Sequence, residues 1–553
     1  MKKNIILMAV AAAVLSACST MESPYETGIV PEYTAEGNTV LYATMPQFVS
    51  GTKAGVTDAG VFSWTSGDVI DVVYTKDAVE TTYTFHCTNT ATGAFESDDE
   101  IAAGSAVTRA YYPHDYNGTP SDQHFSSLDE AAKGFQMSAT VSGGKLSFTH
   151  DNAMFVITVS NVPKFAKTVW INNASVDISS LTGNVVVRMP VIPAAAANLN
   201  IGVTDADWDA LSHNDLISKK SENSAAIVAK NLYKLADLDL APEVHFLSTR
   251  SGWTVTDANI ISGSGSVYSA NNSIVEPELD SKWFRFAVKY PNYTVDYGYA
   301  TGQEYDNDSP FEPYCTNGAS IEMPGIYNIS FNAITGDYTV SATDTPLLYL
   351  IGINGIWSWD SSTNPLTRVF GKMYAWKGTP TNAEYKVYLY GETDWSGYYY
   401  GAETASNKSG SIYTKSSSQN AGVDTDEAVV IVYDFGLSSW YYSSGKVSNA
   451  PTKVQMRGDF NGDSWSSGVE LTQHATYPNI WYKENFVVTS AGDIKFVENE
   501  ADWYGAGSDP RIELSTNPNY RLWKDSANNM TIAVGTYTIY YNAFAHSYSL
   551  EVL

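Results

Sequence analysis

Cysteine and positive charge are both scarce in this sequence. Its 553 residues include only three cysteines, Cys18, Cys87 and Cys315, and 32 basic side chains against 60 acidic ones, which leaves a formal net charge of −28. The cysteines beyond Cys18 are far apart, so no disulfide framework can be read and each domain must depend on its own core. The negative charge opposes binding to phosphate backbones or anionic lipid headgroups. Nucleic acid is therefore not an expected partner.

Long apolar runs are missing except at the N-terminus. Lys2 and Lys3 precede an apolar run over residues 5–15 that is too short to cross a bilayer, and Leu15-Ser16-Ala17-Cys18 follows it. This segment resembles the lipobox of bacterial lipoprotein signals, which implies cleavage before Cys18 and acylation of that residue, for example with palmitate. The alternative is a cleaved secretory signal in which Cys18 is incidental.

The lipobox resemblance also implies a location and an N-terminal organisation. Residues 1–17 would be the signal peptide, and the polar, proline-containing residues 18–37 would be a flexible tether. We expect an outer-membrane protein that faces the cell exterior and touches the membrane only through its lipid.

Patterns of catalysis and cofactor binding are missing as well. The eight histidines are scattered without ligand spacing, and no nucleophile elbow, zinc motif or phosphate-binding loop is present. Asp394 and Asp502 occupy matching places in two repeats, which suits duplicated binding better than a glycosidase acid–base pair. Four oxygen-bearing side chains follow part of a calcium-loop spacing: Asp459, Asn461, Asp463 and Glu470. Ser464 stands where such a loop needs glycine, so an Asp- and Asn-rich turn explains them better. We expect no enzyme activity, no metal and no cofactor.

Short alternating runs between turn residues are what the chain has in abundance. Residues 82–85, 155–159 and 537–541 alternate apolar and polar side chains between clusters of Gly, Asn, Asp and Ser. Helical periodicity is nearly absent, and only residues 205–216 and 223–235 have room for a turn or two of helix. The sequence predicts an all-β chain of tandem β-sandwich domains, immunoglobulin-like or transthyretin-like, on the lipidated tether.

An ordered set of landmarks runs through residues 38–240. They are Trp64-Thr65-Ser66-Gly67-Asp68, Ala110-Tyr111-Tyr112-Pro113, Leu146-Ser147-Phe148-Thr149-His150 and Asn231-Leu232-Tyr233-Lys234-Leu235. Their order and spacing resemble the fimbrillin family of surface and pilus proteins, which implies two consecutive β-sandwiches. Family members that polymerise expose a basic cleavage site near the N-terminus, whereas the first basic residue after Cys18 here is Lys53, inside the domain. We expect a stalk or scaffold.

An internal repeat occupies the C-terminal part of the chain. Six residues recur with identical internal spacing, namely Gly325, Tyr327, Ile329, Asn332, Ala333 and Tyr338 as Gly535, Tyr537, Ile539, Asn542, Ala543 and Tyr548. Val429, Ile431, Asp434 and Trp440 form a weaker copy. The pattern predicts a terminal hairpin whose turn begins at Asn or Asp. It defines three modules, at 244–342, 347–446 and 452–553.

A basic residue followed by an aromatic one recurs in the middle of the modules. Lys386 and Lys495 alternate with apolar neighbours, so their side chains should leave the sheet on the face opposite the core. Trp359 and Trp465 follow a glycine by the same seven positions near the start of two modules. The complete set of candidate binding residues is Lys386, Trp395, Lys495, Trp503, Tyr504, Arg285, Tyr297, Trp359 and Trp465.

These repeats resemble the modules of SusE/SusF-type starch-binding outer-membrane lipoproteins. The resemblance implies that glucose rings stack on aromatic side chains while a basic residue holds hydroxyls, with Lys386 and Trp395, Lys495 and Trp503, and Arg285 and Tyr297 as the pairs. It also implies a polysaccharide or oligosaccharide partner, a starch-like glucan in particular, and an outer-membrane glycan transporter complex.

The distribution of tryptophan agrees with sugar binding. A neutral sugar offers a flat apolar face and a rim of hydroxyls, which an exposed aromatic ring and a few polar groups recognise. Eleven of the fourteen tryptophans follow residue 244. The alternative functional hypothesis is a structural adhesin or fimbria-associated protein that uses the same aromatic residues in protein contacts.

The lipid anchor can be tested with Cys18→Ala. We expect this variant to leave the membrane fraction, because no other segment approaches the length of an apolar span. Fractionation of cells that produce the parent, Cys18→Ala or the control Cys315→Ala would measure it. A Cys18→Ala protein that stays with the membrane would refute the anchor.

Overall fold

The computed structural model describes residues 39–46, 49–50, 63–97, 99–142, 145–210, 212–277, 283–300, 309–359, 363–508 and 511–553. Cys18, the signal segment and the tether lie outside the described residues. The regular elements of the described residues are nearly all strands, with a single short α-helix, which confirms the all-β fold class. Within these ranges, no helix combines the length and apolar character needed to cross a membrane.

The first domain, residues 39–150, is a closed barrel. Seven strands follow one another in the order β1-β5-β4-β3-β6-β8-β9, and parallel pairing of β1 with β9 closes the ring. The family resemblance implies a β-sandwich for this segment, and its strands close into a ring. The elements of this segment are β1 (Thr39–Thr44), β2 (Val49–Ser50), β3 (Val69–Lys76), β4 (Val79–Asn89), β5 (Ala94–Ser97), β6 (Ala106–Tyr112), β7 (His124–Phe125), α1 (Leu128–Lys133), β8 (Met137–Ser142) and β9 (Lys145–His150).

Trp64 lies in the core of this barrel. Its indole Nε1 donates to the carbonyl of Ala43 at 3.0 Å, and its ring packs edge-on against Phe95 at 4.9 Å. The short helix α1 is capped at its N-terminus, where Ser127 accepts from the amide of Glu130 at 3.2 Å. Glu130 in turn accepts from the amide of Ser126, the residue before the cap, at 2.9 Å.

The second domain, residues 153–239 with β2 and β7 from earlier in the chain, has two larger sheets that share one core and the two-stranded sheet β14–β17. One sheet has the order β13-β10-β18-β2, with β19 also on β10, and the other has the order β16-β15-β11-β12-β7. The sequence leaves room for a turn or two of helix at residues 205–216 and 223–235, but the described residues 205–210, 212–216 and 223–235 contain bends, turns and strands. The strands are β10 (Ala153–Val162), β11 (Thr168–Ile171), β12 (Ala174–Asp177), β13 (Gly183–Val191), β14 (Ala194–Ala197), β15 (Asn200–Thr204), β16 (Asp215–Lys220), β17 (Ala225–Ile227), β18 (Asn231–Lys234) and β19 (Leu238–Asp239).

Module 1 is a two-sheet sandwich. Its sheets have the orders β20-β23-β24-β25, with β26 also on β23, and β21-β22-β27-β28. Its core is continuous with that of the second domain, where Phe165 packs edge-on against Tyr290 and Tyr297. The strands are β20 (Glu243–Ser248), β21 (Ser262–Ser264), β22 (Val267–Val275), β23 (Trp283–Lys289), β24 (Thr294–Gly298), β25 (Glu312–Pro313), β26 (Ala319–Ser320), β27 (Gly325–Asn332) and β28 (Tyr338–Ala342), and a 3-10 turn covers Asp257–Asn259.

In module 2 the strands form one continuous path. The order is β29-β30-β31-β36-β37-β34-β33-β32-β35, and β29 also pairs with β32. The strands are β29 (Leu348–Ile351), β30 (Pro365–Phe370), β31 (Met373–Gly378), β32 (Glu384–Leu389), β33 (Tyr399–Ala402), β34 (Ser409–Thr414), β35 (Ala421–Gly422), β36 (Val429–Asp434) and β37 (Tyr441–Lys446), with 3-10 turns at Lys415–Ser417 and Val447–Asn449.

Module 3 again has two sheets. One contains β39-β38-β42-β43-β46 with β44 and β47, and the other has the order β40-β41-β48-β49-β45. The strands are β38 (Val454–Gly458), β39 (Gly468–Glu470), β40 (Thr472–Gln473), β41 (Ile480–Val488), β42 (Gly492–Glu498), β43 (Asp502–Gly505), β44 (Ile512–Glu513), β45 (Asn519–Arg521), β46 (Trp523–Lys524), β47 (Met530–Ile532), β48 (Gly535–Asn542) and β49 (Ser547–Val552), with a 3-10 turn at Phe460–Gly462.

Modules 2 and 3 share an apolar interface. Met373, Val430 and Val432 of module 2 form one cluster with Tyr477 and Ile480 of module 3. Beside this cluster the ring of Phe370 stacks on that of Tyr540, with centroids 4.4 Å apart. The two modules are therefore packed against each other as well as joined by a short linker.

Each module ends in the hairpin that the repeat predicts, and an Asn or Asp begins its turn. The hairpins are β27–β28, β36–β37 and β48–β49. The side-chain oxygen of the first turn residue accepts from the amide two residues later, in the pairs Asn332 with Ile334 (3.0 Å), Asp434 with Gly436 (2.9 Å) and Asn542 with Phe544 (3.1 Å).

Module 2 differs because its turn residue is ionisable. Asp434 is buried, and within the described residues its second oxygen, Oδ2, has no hydrogen-bond partner. Burial raises the pKa of its carboxyl from the ordinary 3.8 to about 6. A raised pKa means that the folded state binds the proton more tightly than the unfolded state, so stability falls as the pH rises through this range.

We therefore expect Asp434→Asn to stabilise the chain above pH 6. A pKa difference of this size corresponds to roughly 3 kcal/mol in the free energy of unfolding, and the gain should vanish below about pH 4, where Asp434 is protonated in both states. Urea unfolding of both chains at pH 3.5, 5 and 7 measures it. A difference that does not change with pH would contradict the assignment.

Candidate functional site

The three candidate cations occupy the same position in their modules. Arg285 lies in β23, Lys386 in β32 and Lys495 in β42, each between buried residues that face the core. The three side chains therefore leave the sheet on its outer face, as the alternation predicts.

A buried tyrosine followed by glycine lies on the next strand in every module. Phe286 pairs with Tyr297, Val387 with Tyr400 and Phe496 with Tyr504, which places the following glycine opposite the cation. The three dipeptides are Tyr297-Gly298, Tyr400-Gly401 and Tyr504-Gly505.

Two of these tyrosines, Tyr297 and Tyr504, are predicted site residues, and both point into the core. Tyr297 is 0% exposed and its hydroxyl donates to the carbonyl of Ala333 at 3.3 Å. Tyr504 is 3% exposed, and its ring stacks on that of His546 at 4.2 Å. Because both rings are enclosed in the fold, neither can stack on a ligand, and their assignment as sugar-contacting residues is wrong.

The glycines allow a loop to cross the outer face of the sheet. A Cβ atom at Gly298, Gly401 or Gly505 would lie 2.4, 2.2 or 2.3 Å from a backbone carbonyl oxygen of the loop, which is far inside van der Waals contact. The loop carbonyls are those of Asn317, Gln419 and Asn528. The same carbonyls accept from the residue after each glycine, at 2.7 Å from Tyr299, 2.9 Å from Ala402 and 3.2 Å from Ala506.

Each cation donates a hydrogen bond to this same loop. Arg285 Nη1 donates to the carbonyl of Thr316 at 2.9 Å, Lys386 Nζ to that of Ser418 at 2.9 Å and Lys495 Nζ to that of Ser526 at 2.6 Å. Desolvation lowers the pKa of both lysines. An ammonium group has three donors, so each lysine can direct others to a ligand on the outer face.

In module 3, two tryptophans flank this arrangement. The rings of Trp465 and Trp503 have centroids 6.2 Å apart and planes inclined at 41°, and both are half-buried. The guanidinium carbon of Arg457 lies 5.6 Å from the Trp503 ring. Arg457 pairs directly with Lys495 in the sheet, so both cations are on the face that carries Trp503.

Module 2 has a matching tryptophan pair. The rings of Trp357 and Trp395 are also 6.2 Å apart, inclined at 44°, and they are 38% and 45% exposed. Lys386 Nζ lies 5.5 Å from the Trp395 ring and 4.7 Å from that of Tyr399. Trp357, which the sequence did not single out, is therefore the counterpart of Trp465. Trp359 supports Trp395 from the side, at 4.8 Å and 72°.

The two modules place their second tryptophan on different elements. Trp503 lies in strand β43, opposite Val497. The equivalent strand position in module 2 is Tyr399, opposite Tyr388, and Trp395 lies in the loop of residues 390–398 that joins the two strands. The corresponding connection in module 3 consists only of residues 499–501.

Module 1 has one exposed tryptophan at its site. Trp253 is 43% exposed, and the guanidinium carbon of Arg285 lies 5.5 Å from its ring. Asp296 occupies the strand position of Trp503, and its carboxylate lies 3.6 Å from Arg285 Nη2. Trp253 thus replaces Tyr297 as the aromatic residue of this module.

Residues with the calcium-loop spacing, from Asp459 to Glu470, lie at and after the 3-10 turn at Phe460–Gly462. Asp459 Oδ1 accepts from the amide of Asp493 at 2.6 Å, and Asn461 Oδ1 accepts from that of Thr489 at 2.6 Å. Glu470 lies 3.8 Å from Lys453. Two of the four side chains, Asp459 and Asn461, thus accept hydrogen bonds from backbone amides between residues 489 and 493.

Comparison with known proteins gives only distant structural resemblances. No family model and no curated protein sequence matches the chain. Among solved structures, a putative cell adhesion protein from Bacteroides uniformis is 17% identical over 36% of this chain and 94% of its own, with a TM-score of 0.21. SusF from Bacteroides thetaiotaomicron is 11% identical over 72% of this chain and 99% of its own, with a TM-score of 0.15. A fimbrial protein from Bacteroides ovatus is 13% identical over 40% of this chain and 55% of its own, with a TM-score of 0.20.

The role of the glycine opposite the cation can be tested in module 2. Gly401→Ala places a Cβ against the carbonyl of Gln419, so we expect a loss of about 1–3 kcal/mol in the free energy of unfolding. Gly410 is the matched control, because its nearest neighbour would be 3.6 Å away and its substitution by Ala should be neutral or slightly stabilising. Equal effects of the two substitutions in urea unfolding would contradict this role.

Proposed function

We propose that this chain is a non-catalytic cell-surface lipoprotein that binds polysaccharide on the outer faces of its three C-terminal modules. The observation that carries the proposal is the matched tryptophan pair. Two modules hold two partly exposed indole rings 6.2 Å apart, inclined at 41° and 44°, next to a lysine. Aromatic faces stack on the apolar faces of sugar rings, and the fixed donors beside them suit hydroxyl groups.

A starch-like glucan is the ligand that this geometry supports best. Ring planes inclined by more than 40° suit a chain that turns, as α-linked glucans do, better than a flat, ribbon-like chain. The ligand should be neutral, because Arg285 is balanced by Asp296 and the chain has a net charge of −28. In the proposal, Trp357, Trp395 and Lys386 form one site, Trp465, Trp503 and Lys495 the second, and Trp253 with Arg285 a smaller third.

The N-terminal domains are proposed as a stalk. With Cys18 acylated, residues 18–37 and the two domains that follow would hold the modules away from the outer membrane, facing the exterior. A glycan captured there would be passed to an outer-membrane transporter complex, the partner that the family resemblance implies.

Glycan binding can be tested with a native gel that contains amylopectin. We expect the parent chain to be retarded, and Trp503→Ala to be retarded less, because a stacking contact contributes about 1–3 kcal/mol by analogy with base stacking. The triple variant Trp253→Ala, Trp395→Ala and Trp503→Ala should migrate as it does without glycan. Trp208→Ala is the control, since Trp208 is 39% exposed but lies in the second domain.

Other outcomes of the gel distinguish the alternatives. A folded triple variant that is retarded like the parent would place the binding site elsewhere. If no gel with starch, other glucans, mannan or host glycans retards the parent, the adhesin hypothesis replaces glycan binding.

A further inference from the structure

Arg250 of module 1 contacts the loop of module 2 that carries Trp395. Its Nη2 donates to Glu392 Oε1 at 2.8 Å, and its guanidinium carbon lies 4.9 Å from the centroid of the Tyr398 ring. Glu392 lies near the start of the loop formed by residues 390–398 and Tyr398 at its end, so one guanidinium group contacts both ends.

Arg250 is itself fixed in module 1. Its Nη1 donates to Glu276 Oε1 at 2.5 Å, and the Glu276 side chain is only 2% exposed. A planar guanidinium that bridges two carboxylates keeps its orientation better than a single ion pair, because each hydrogen bond constrains the same rigid fork. The loop of module 2 is thus tied to a buried group of module 1.

The Trp395 loop needs this support more than its counterpart does. Trp503 lies in a strand, where backbone hydrogen bonds fix it, whereas Trp395 lies in a longer connection. Inside that connection, Ser396 donates its amide to Asp394 Oδ1 at 2.7 Å, and the amide of Gly397 donates to the carbonyl of Asp394 at 3.3 Å. Backbone bonds to the sheet are made at the ends of the loop, where Tyr390 donates to the carbonyl of Leu347 at 2.8 Å and Leu389 donates to that of Tyr398 at 3.1 Å. The two bonds around Asp394 join near neighbours in sequence, so they do not tie the middle of the loop to a sheet.

We propose that Arg250 is a positioning residue for the module 2 site, which is therefore complete only when module 1 is docked beside it. The inference rests on the proposed function, since Trp395 is taken as a ligand-stacking residue. A loop that is already ordered loses less conformational entropy when a ligand binds, so the contact with Arg250 should raise affinity without touching the ligand.

The first test measures binding of maltoheptaose by full-length chains that carry Trp253→Ala and Trp503→Ala. These two substitutions disrupt the sites of modules 1 and 3, so only module 2 keeps its tryptophan pair. We expect Glu392→Gln to weaken binding about three- to tenfold at unchanged melting temperature. Asp426→Asn is the matched control, because Asp426 lies in a different loop of module 2 and pairs there with Lys446 of β37, 2.5 Å away. Glu392→Gln is preferred to Arg250→Ala, which would leave Glu276 buried without its partner.

A double-mutant cycle links the two ends of the contact. Arg250→Lys keeps a cation beside the buried Glu276 but lacks the guanidinium fork that bridges two carboxylates. If Arg250→Lys and Glu392→Gln act through the same contact, the double variant should bind no more weakly than the weaker-binding single variant. Fully additive losses would show that the two residues act separately and would overturn the inference.

The second test does not need a ligand. Amide hydrogen exchange over residues 390–398 should become faster in Glu392→Gln and stay unchanged in Asp426→Asn. If Glu392→Gln alters neither exchange nor affinity, Arg250 does not position the loop. If Trp395→Ala fails to weaken maltoheptaose binding in the same chain, the module 2 site in the proposed function is wrong, while the exchange result still decides whether Arg250 orders the loop.

Discussion

A hydrogen bond from a basic side chain to the backbone of a crossing loop, made possible by a glycine, is the constraint on which the three sites depend. The buried tyrosine before each glycine fixes the strand in the core. The glycine then lets the loop carbonyls approach the sheet, and Arg285, Lys386 or Lys495 ties the loop in place. Without the glycine the loop could not approach, and without the loop the cation would lose its fixed position on the outer face.

On this shared base the modules obtain their aromatic residues in different ways. Module 3 uses a strand residue, Trp503, module 2 uses a loop residue, Trp395, and module 1 has Asp296 at the strand position. A strand residue inherits the rigidity of the sheet, whereas a loop residue must be held by contacts from outside. The rigidity of each site is therefore set by the element that carries the tryptophan rather than by the residue type.

The sequence predicted those features that depend on fixed spacing. The terminal hairpins and their Asn or Asp turns follow from identical spacing in the repeats, and the outward direction of Lys386 and Lys495 follows from alternation. Alternation also implies that Trp503 and Tyr504 cannot both face outward, a signal that was available in the sequence and that the prediction of Tyr504 overlooked.

Features that depend on loop length could not be predicted in this way. Counting seven positions from a glycine selected Trp359 and passed over Trp357, because the two modules have different connections after that glycine. Trp253 was missed since nothing in the repeat aligns with it. The contact of Arg250 with Glu392 joins residues of two modules, and long-range pairing of this kind leaves no periodic trace.

The contacts between modules bear on how a long glycan would be held. When binding modules are joined by flexible linkers, the gain from a second site depends on the length of the linker. Here the junction of modules 2 and 3 is packed by Phe370 and Tyr540, and that of modules 1 and 2 is tied through Arg250. The relative orientation of the sites is then set by side-chain packing. Under the proposed function, a polymer whose curvature fits this orientation would gain from several sites at once, and one of different curvature would gain from a single site. The interfaces as well as the tryptophans would then determine which glycan is preferred.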